Sequence, residues 1–129
     1  MDNFKVMVVD DELDFLETII KRLKARKIEV TGAESGQKAL DLLAGEDFDV
    51  IVLDVKMPGM DGIETLREMK KKKPLTEVIM LTGHASVESG IQGMQLGAFD
   101  YVMKPVALDE LLEKMRQAYE RKLIQEGKA

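Results

Sequence analysis

Five short apolar runs of strand length alternate with five amphipathic helical patterns along the whole chain. Strands separated by helices require crossover connections, and these produce a parallel sheet with helices on both faces. The pattern therefore predicts an α/β fold, a doubly wound five-stranded parallel sheet with five helices. The expected strands lie near residues 4–9, 28–31, 50–53, 78–81 and 99–102.

The third apolar run, residues 50–53, ends in the carboxylate of Asp54. Its unbroken and mostly β-branched composition is typical of a fully buried parallel strand. Pro58, Gly59 and Gly62 then impose a turn, so Asp54 is expected at the carboxyl edge of the sheet, where open α/β sheets bind ligands. Taken alone, an aspartate at this position more often caps a strand or a turn.

The first run, residues 6–9, also ends in carboxylates, at Asp10 and Asp11. If the first and third strands are neighbours, three carboxylates meet in one pocket. At ~4 Å and an effective dielectric constant of ~20, each pair repels by on the order of 4 kcal/mol, so the group must protonate, separate or hold a cation. Oxygen ligands of this kind favour Mg²⁺. Asp11 is also a candidate N-cap of the first helix.

Composition excludes several classes of function. The chain has 129 residues, a length typical of one domain, which we expect to span residues 1–124 before a short polar tail at 125–129. A net charge of -5 gives no basis for direct binding of nucleic acid or of an anionic membrane. The absence of cysteine excludes disulfides and thiol chemistry, and one histidine cannot build a His-rich zinc site.

The distribution of apolar residues bears on location. The longest apolar runs have four residues, whereas a membrane-spanning helix needs about 20. The first strand is expected to begin near residue 4, which leaves no room for a signal peptide. A cytoplasmic location is therefore expected.

Two further polar residues follow predicted strands. Thr82 ends the fourth strand, where its hydroxyl is placed to donate to a phosphoryl oxygen. Lys104 follows the fifth strand and precedes Pro105, which fixes the turn; it is either a surface lysine or a point charge for phosphate. Between them, Gly90 and Gly93 weaken the fourth helix by about 1 kcal/mol each, so this helix is expected to be marginal.

Together these residues resemble the receiver domain of bacterial two-component response regulators. The resemblance covers essentially the whole chain and includes the loop sequence DVKMPGMDG after the third strand. It implies a flavodoxin-like fold with strand order 2-1-3-4-5. It fits a stand-alone, chemotaxis-regulator-like protein or a receiver excised from a larger regulator. The residues that carry the resemblance are Asp10, Asp11, Asp54, Thr82, Lys104 and Pro105.

The resemblance implies that Asp54 accepts a phosphoryl group from a histidine kinase or a phosphotransfer protein. Asp11, Asp54 and the backbone carbonyl of Lys56 would ligate Mg²⁺, with Asp10 acting through water. An ionised carboxylate needs no general base, which is consistent with this role for Asp54. Such a domain is a signalling phosphoacceptor that supports only its own phosphotransfer and dephosphorylation, and not an enzyme with a separate substrate.

The same resemblance assigns the remaining positions. Thr82 and Lys104 would bind phosphoryl oxygens, and the Lys104–Pro105 peptide bond is expected to be cis. Thr82 and Tyr101 would form a switch that changes the surface of helix four, strand five and helix five by a population shift. The alternative is that Tyr101 has no switch role and is an ordinary half-exposed aromatic residue of a strand.

The resemblance also bears on lifetime and partners. Lys56 and His84 lie two residues beyond Asp54 and Thr82, and we expect them to set the lifetime of the phosphorylated state. The downstream partner would be a protein of unknown identity, and a phosphorylation-dependent dimer is compatible with this family.

Three alternatives stay open at this point. A haloacid-dehalogenase-like phosphatase also uses an aspartate nucleophile and Mg²⁺, but it requires a second acid where this chain has Lys56. A flavin-binding domain of similar topology would need a phosphate-binding first loop, yet Asp10, Asp11 and Glu12 would repel phosphate. A scaffolding module without phosphorylation is the third alternative, although no acceptor-site residue is missing.

Overall fold

The structure is a computed structural model that describes residues 4–56, 61–83 and 87–128. Within these ranges, five parallel strands form one sheet in the order β2-β1-β3-β4-β5, with five helices. The predicted fold class, strand order and alternation of elements are confirmed. The strands are β1 (Lys5–Val9), β2 (Glu29–Ala33), β3 (Val50–Asp54), β4 (Glu77–Thr82) and β5 (Asp100–Met103), and the helices are α1 (Leu13–Ala25), α2 (Gly36–Gly45), α3 (Gly62–Lys72), α4 (Val87–Gln95) and α5 (Leu108–Gln125).

The sheet is covered on both faces by two separate hydrophobic clusters. Along β1, Val6 and Val8 belong to the cluster on one face, and Met7 and Val9 to the cluster on the other. Because both faces are covered at the three central strands, β1, β3 and β4 carry continuous apolar runs rather than alternating apolar and polar residues. None of the helices in the described ranges is both long and apolar enough to cross a membrane.

The start of α1 differs from the prediction. Asp61 caps α3 in the usual way, because its Oδ1 accepts a hydrogen bond from the N–H of Glu64 at 2.8 Å. In α1 the N-cap is Glu12, which makes no side-chain cap hydrogen bond. The alternative in which Asp11 is the N-cap is therefore wrong: the cap lies one residue later, at Glu12, whose N–H donates a hydrogen bond of 2.9 Å to Asp10 Oδ1.

The two glycines of α4 have different roles. A β-carbon at Gly93 would overlap Sδ of Met80, so this glycine lets the helix lie close against β4. A β-carbon at Gly90 would meet no atom within 4 Å. Gly93 therefore allows the close packing of α4 on the Met80 side chain, and Gly90 alone fits the expected weakening of the helix.

A buried ion pair anchors α5 to the amino end of β4. Glu77 is fully buried, and Arg121 donates to both of its carboxylate oxygens, with Nη2 2.6 Å from Oε1. Lys70 Nζ lies 3.9 Å from the same oxygen, and the guanidinium group lies 4.7 Å from the centre of the Phe99 ring. This arrangement compensates a charge inside an otherwise apolar strand.

We expect Arg121→Met to lower the free energy of unfolding by about 3 kcal/mol, because it leaves the buried Glu77 carboxylate without its bidentate partner. Urea unfolding measures the effect. Arg116→Met is the matched control, since Arg116 lies on the same helix and pairs with exposed glutamates, so its loss should change stability little. An equal loss of unfolding free energy in the two variants would show that the burial of Glu77 is not what makes Arg121 important for stability.

Candidate functional site

The sheet order brings two acidic strand ends together. β1 and β3 are neighbours, with Val9 in register with Leu53, so Asp10 and Asp54 follow at the same edge. Asp10 is fully buried and Asp54 is 6% exposed. Carboxylate oxygens of Asp10, Asp54 and Glu12 lie within 4.8 Å of one another. Asp11, in contrast, is exposed and is not part of this group.

Lys104 reaches this acidic group from the end of β5. Its Nζ lies 2.8 Å from Asp10 Oδ2, 2.9 Å from Glu12 Oε1 and 3.8 Å from Asp54 Oδ2. Its backbone N–H donates to the carbonyl of Thr82, and the Lys104–Pro105 peptide bond is cis. One ammonium group therefore contacts all three clustered carboxylates.

Burial and charge shift the pKa values of the site. Burial, reinforced by the charge of Asp10, raises the pKa of Asp54 to about 7, while Lys104 and the backbone N–H of Lys56 oppose the shift. Burial lowers the pKa of Lys104, but the neighbouring carboxylates of Asp10, Glu12 and Asp54 outweigh it, so the net shift is upward. The site therefore stabilises a cation and disfavours a second buried anion.

The acidic group fits a divalent cation by its chemistry. Asp10 Oδ2 is buried and meets no donor with hydrogen-bond geometry among the described residues, although Lys104 Nζ lies close to it as an ion pair. Three carboxylates share this one ammonium group, so the cluster keeps negative charge that a metal ion would compensate. Because the available ligands are carboxylate oxygens, the site suits Mg²⁺.

Thr82 and Tyr101 lie beside a groove between α4 and β5. Thr82 is buried and its Oγ1 donates to Met103 Sδ at 3.1 Å, whereas the Tyr101 side chain is 45% exposed. The groove has a volume of about 450 Å³. Its lining includes Thr82, Gly90, Ile91, Met94, Tyr101 and Met103.

Of the two residues expected to set the lifetime of the phosphorylated state, the structure describes Lys56 but not His84. Lys56 is described: its side chain is exposed, and its N–H donates to Asp54 Oδ1 at 3.2 Å. His84 and residues 57–60, which include the predicted Pro58-Gly59 turn, lie outside the described residues.

Sequence reasoning missed two contributors to this site. A β-carbon at Gly62 would overlap the carbonyl oxygen of Asp54, so this glycine lets α3 approach the acidic strand end, a role beyond turn formation. The sequence predicts Glu12 only as a charge that repels phosphate, whereas in the structure its carboxylate accepts a hydrogen bond from Lys104. The available signal was a glutamate at a helix start, where Ser, Thr, Asp or Asn is preferred.

Known proteins and structures share this fold and sequence pattern. The model of the response regulator receiver domain family matches residues 6–116. The receiver domain of Francisella response regulator 1452 is 37% identical, with a TM-score of 0.84, and covers 92% of this chain and 98% of that chain. A response regulator receiver domain protein from Clostridium thermocellum is 36% identical, with a TM-score of 0.90 and coverage of 95% and 98%.

Curated relatives are longer proteins. Regulatory protein AtoC of Escherichia coli strain K12 is 39% identical over 107 residues, which are 83% of this chain and 23% of AtoC. Response regulator MprA of Mycolicibacterium vanbaalenii is 37% identical over 95% of this chain and 53% of MprA. The chain thus spans between about a quarter and about half of the length of these relatives. By sequence and by structure it belongs to the family of response regulator receiver domains, which are signalling domains.

Proposed function

We propose that Asp54 accepts a phosphoryl group from a phosphohistidine of a sensor histidine kinase or a phosphotransfer protein, in a reaction that requires Mg²⁺. The aspartyl phosphate then changes a protein-binding surface formed by α4, β5 and α5. The observation that carries the proposal is the group of Asp10, Asp54 and Lys104 at one sheet edge, with Lys104 Nζ 3.8 Å from Asp54 Oδ2. The downstream partner is a protein.

The transfer needs little from the protein beyond a nucleophile and positive charge. A carboxylate oxygen of Asp54 forms a bond to phosphorus while the phosphorus–nitrogen bond of the phosphohistidine breaks, and the electron pair returns to the imidazole. The ammonium group of Lys104 moves toward the phosphoryl oxygens. Thr82, at the end of the adjacent strand, donates its hydroxyl hydrogen to the same group.

The metal would be held by the acidic edge of the sheet. In this proposal, Asp11, Asp54 and the backbone carbonyl of Lys56 are ligands, and Asp10 acts through water. Bound Mg²⁺ supplies positive charge for the oxygens of the transferred group. The buried Asp10 and Asp54 carboxylates support the roles of these two residues, and Glu12 is a further oxygen donor within the same cluster. Asp11 is exposed and lies outside this cluster, so its role rests on the resemblance to receiver domains.

The proposed switch uses the groove between α4 and β5. Thr82 cannot bind the phosphoryl group and keep its hydrogen bond to Met103 Sδ, so phosphorylation breaks that contact. The exposed ring of Tyr101 then turns into the groove that Thr82 borders. The result is a population shift between two packings of α4 and β5.

Incubation with acetyl phosphate and Mg²⁺ should add one labile phosphate, detected by intact-protein mass. Asp54→Asn should abolish it, since the amide is not a nucleophile at this step, and chelation of Mg²⁺ should have the same effect. Asp14→Asn, an exposed carboxylate in α1, is the control and should be labelled normally. The rate at which the phosphate is lost from Lys56→Ala and from His84→Ala, compared with wild type, measures the effect of these residues on the lifetime of the phosphorylated state.

Two outcomes would contradict the proposal. Label that persists in Asp54→Asn would place the acceptor elsewhere. Sustained hydrolysis of small phosphate esters over many turnovers would instead favour the haloacid-dehalogenase-like phosphatase.

The raised pKa of Asp54 predicts a pH dependence of stability in the metal-free protein. Between pH 3.8 and about 7 the folded carboxyl group keeps a proton that the unfolded chain has lost. The stability that the protonated Asp54 contributes to the folded state is fully present below pH 3.8 and is lost as the pH rises to about 7. Asp54→Asn should therefore become increasingly more stable than wild type from about pH 4 to about pH 7, and the difference should level off above that.

Chemical unfolding in the presence of a chelator measures this difference at each pH. Mg²⁺ should reduce it, because bound metal compensates the carboxylate in the wild type. A difference that does not vary with pH would contradict the raised pKa.

Fluorine NMR of protein labelled with fluorotyrosine tests the switch, since the chain contains only Tyr101 and Tyr119. Beryllofluoride, a phosphoryl mimic, should shift the Tyr101 signal and leave Tyr119 unchanged, because the Tyr119 ring is stacked on Phe4 with 5.0 Å between centroids. Thr82→Ala should reduce the Tyr101 shift. An unchanged Tyr101 signal in the mimic-bound wild type would exclude the ring movement.

A further inference from the structure

We infer that Glu12 is a positioning residue that holds Lys104 away from the acceptor until the phosphoryl group arrives. Its carboxylate competes with the phosphoryl oxygens for the Lys104 ammonium group. The inference rests on the proposed function, because it concerns the same lysine and the same acceptor.

Distances in the site place Lys104 on the α1 side. Its Nζ is 2.9 Å from Glu12 Oε1, within hydrogen-bond range, but 3.8 Å from Asp54 Oδ2. The same ammonium group lies 4.7 Å from the centre of the Phe15 ring, one helical turn beyond Glu12. The lysine is therefore held by Glu12 and the Phe15 ring on the α1 side and by Asp10 Oδ2 at 2.8 Å, and not at the acceptor.

The backbone around Glu12 is arranged for this contact at the expense of a helix cap. Glu12 occupies the N-cap of α1, where a shorter polar side chain would accept a hydrogen bond from the helix, and it makes no such bond. Asp10 Oδ1 fixes the Glu12 N–H at 2.9 Å, which leaves the longer side chain directed to Lys104. A local preference given up in this way is typical of a functional position.

Exposure decides which partner Lys104 gives up. The Asp10 side chain is fully buried, so losing its cation would leave an uncompensated charge inside the protein. The Glu12 side chain is 66% exposed, and water can replace the lysine there at small cost. When a phosphoryl group forms on Asp54, the contact with Glu12 is the one that breaks. Glu12 thus weakens phosphorylation without being required for it.

The test compares Glu12→Gln with Asp14→Asn, which removes the same charge from an exposed residue in the same turn of α1. At saturating Mg²⁺, beryllofluoride should bind Glu12→Gln about two- to fivefold more tightly than wild type, the range expected for a partly exposed ion pair, and acetyl phosphate should label it faster by a similar factor. Asp14→Asn should stay near wild type. In a Lys104→Gln background, the effect of Glu12→Gln should disappear.

NMR of the lysine ammonium groups gives a readout that does not depend on phosphorylation. In the metal-free protein, the Lys104 signal should move in Glu12→Gln and stay in place in Asp14→Asn. An unmoved signal in Glu12→Gln would show that the two side chains are not paired.

The remaining outcomes separate the inference from the proposed function. Equal effects of Glu12→Gln and Asp14→Asn, or weaker beryllofluoride binding by Glu12→Gln, would overturn the role of Glu12 alone. Failure of wild type and every variant to bind beryllofluoride or to accept phosphate would overturn the proposed function, and the role of Glu12 with it.

Discussion

The burial of two carboxylates at adjacent strand ends is the constraint on which this structure depends. Asp10 and Asp54 are almost fully removed from water, and like charges at ~4 Å repel by on the order of 4 kcal/mol at an effective dielectric constant of ~20. Apolar packing of β1 and β3 keeps the pair together, and the Lys104 ammonium group partly neutralises it. The fold thus maintains a site whose free energy falls when further positive charge binds.

Each part of this site comes from a distant part of the chain, and the strand order brings the parts together. Asp10 and Asp54 follow neighbouring strands, whereas Lys104 follows the edge strand β5 and reaches back across the end of β4. The approach of α3 requires Gly62, because any side chain there would collide with the backbone of Asp54. A parallel sheet therefore acts here as a device for collecting polar groups at one edge.

The fold could be predicted because its determinants are local. Continuous apolar runs ending in carboxylates mark buried parallel strands. That Asp10, Asp54 and Lys104 are neighbours depends on the strand order, which only the resemblance to receiver domains implied. Side-chain direction could not be predicted in the same way, because it depends on the turn after β1: Asp10 points into the protein, whereas Asp11 is exposed and Glu12 supplies the third clustered carboxylate.

Packing between residues that are distant in sequence could not be predicted either. Gly93 reads as a weakness of α4 until the position of Met80 is known. Glu77 opens a buried strand with a charge, which its pairing with Arg121 and the nearby Lys70 explains. In both cases the partner is distant in sequence, so no local rule identifies it.

The two buried charge groups of the sheet show why one end is suited to change and the other is not. At the amino end of β4, the planar fork of Arg121 holds both oxygens of Glu77, a geometry that fixes α5 against the sheet. At the carboxyl end, the cation is a lysine, a point charge on a flexible stem that can exchange one oxygen partner for another. A charge added at Asp54 can therefore redistribute the contacts of Lys104 and Thr82 while the opposite end keeps α5 in place. If Asp54 is phosphorylated as proposed, the resulting movement should therefore occur at the end of β5 and in α4, where the exposed apolar side chains of Ile91, Met94 and Met103 lie.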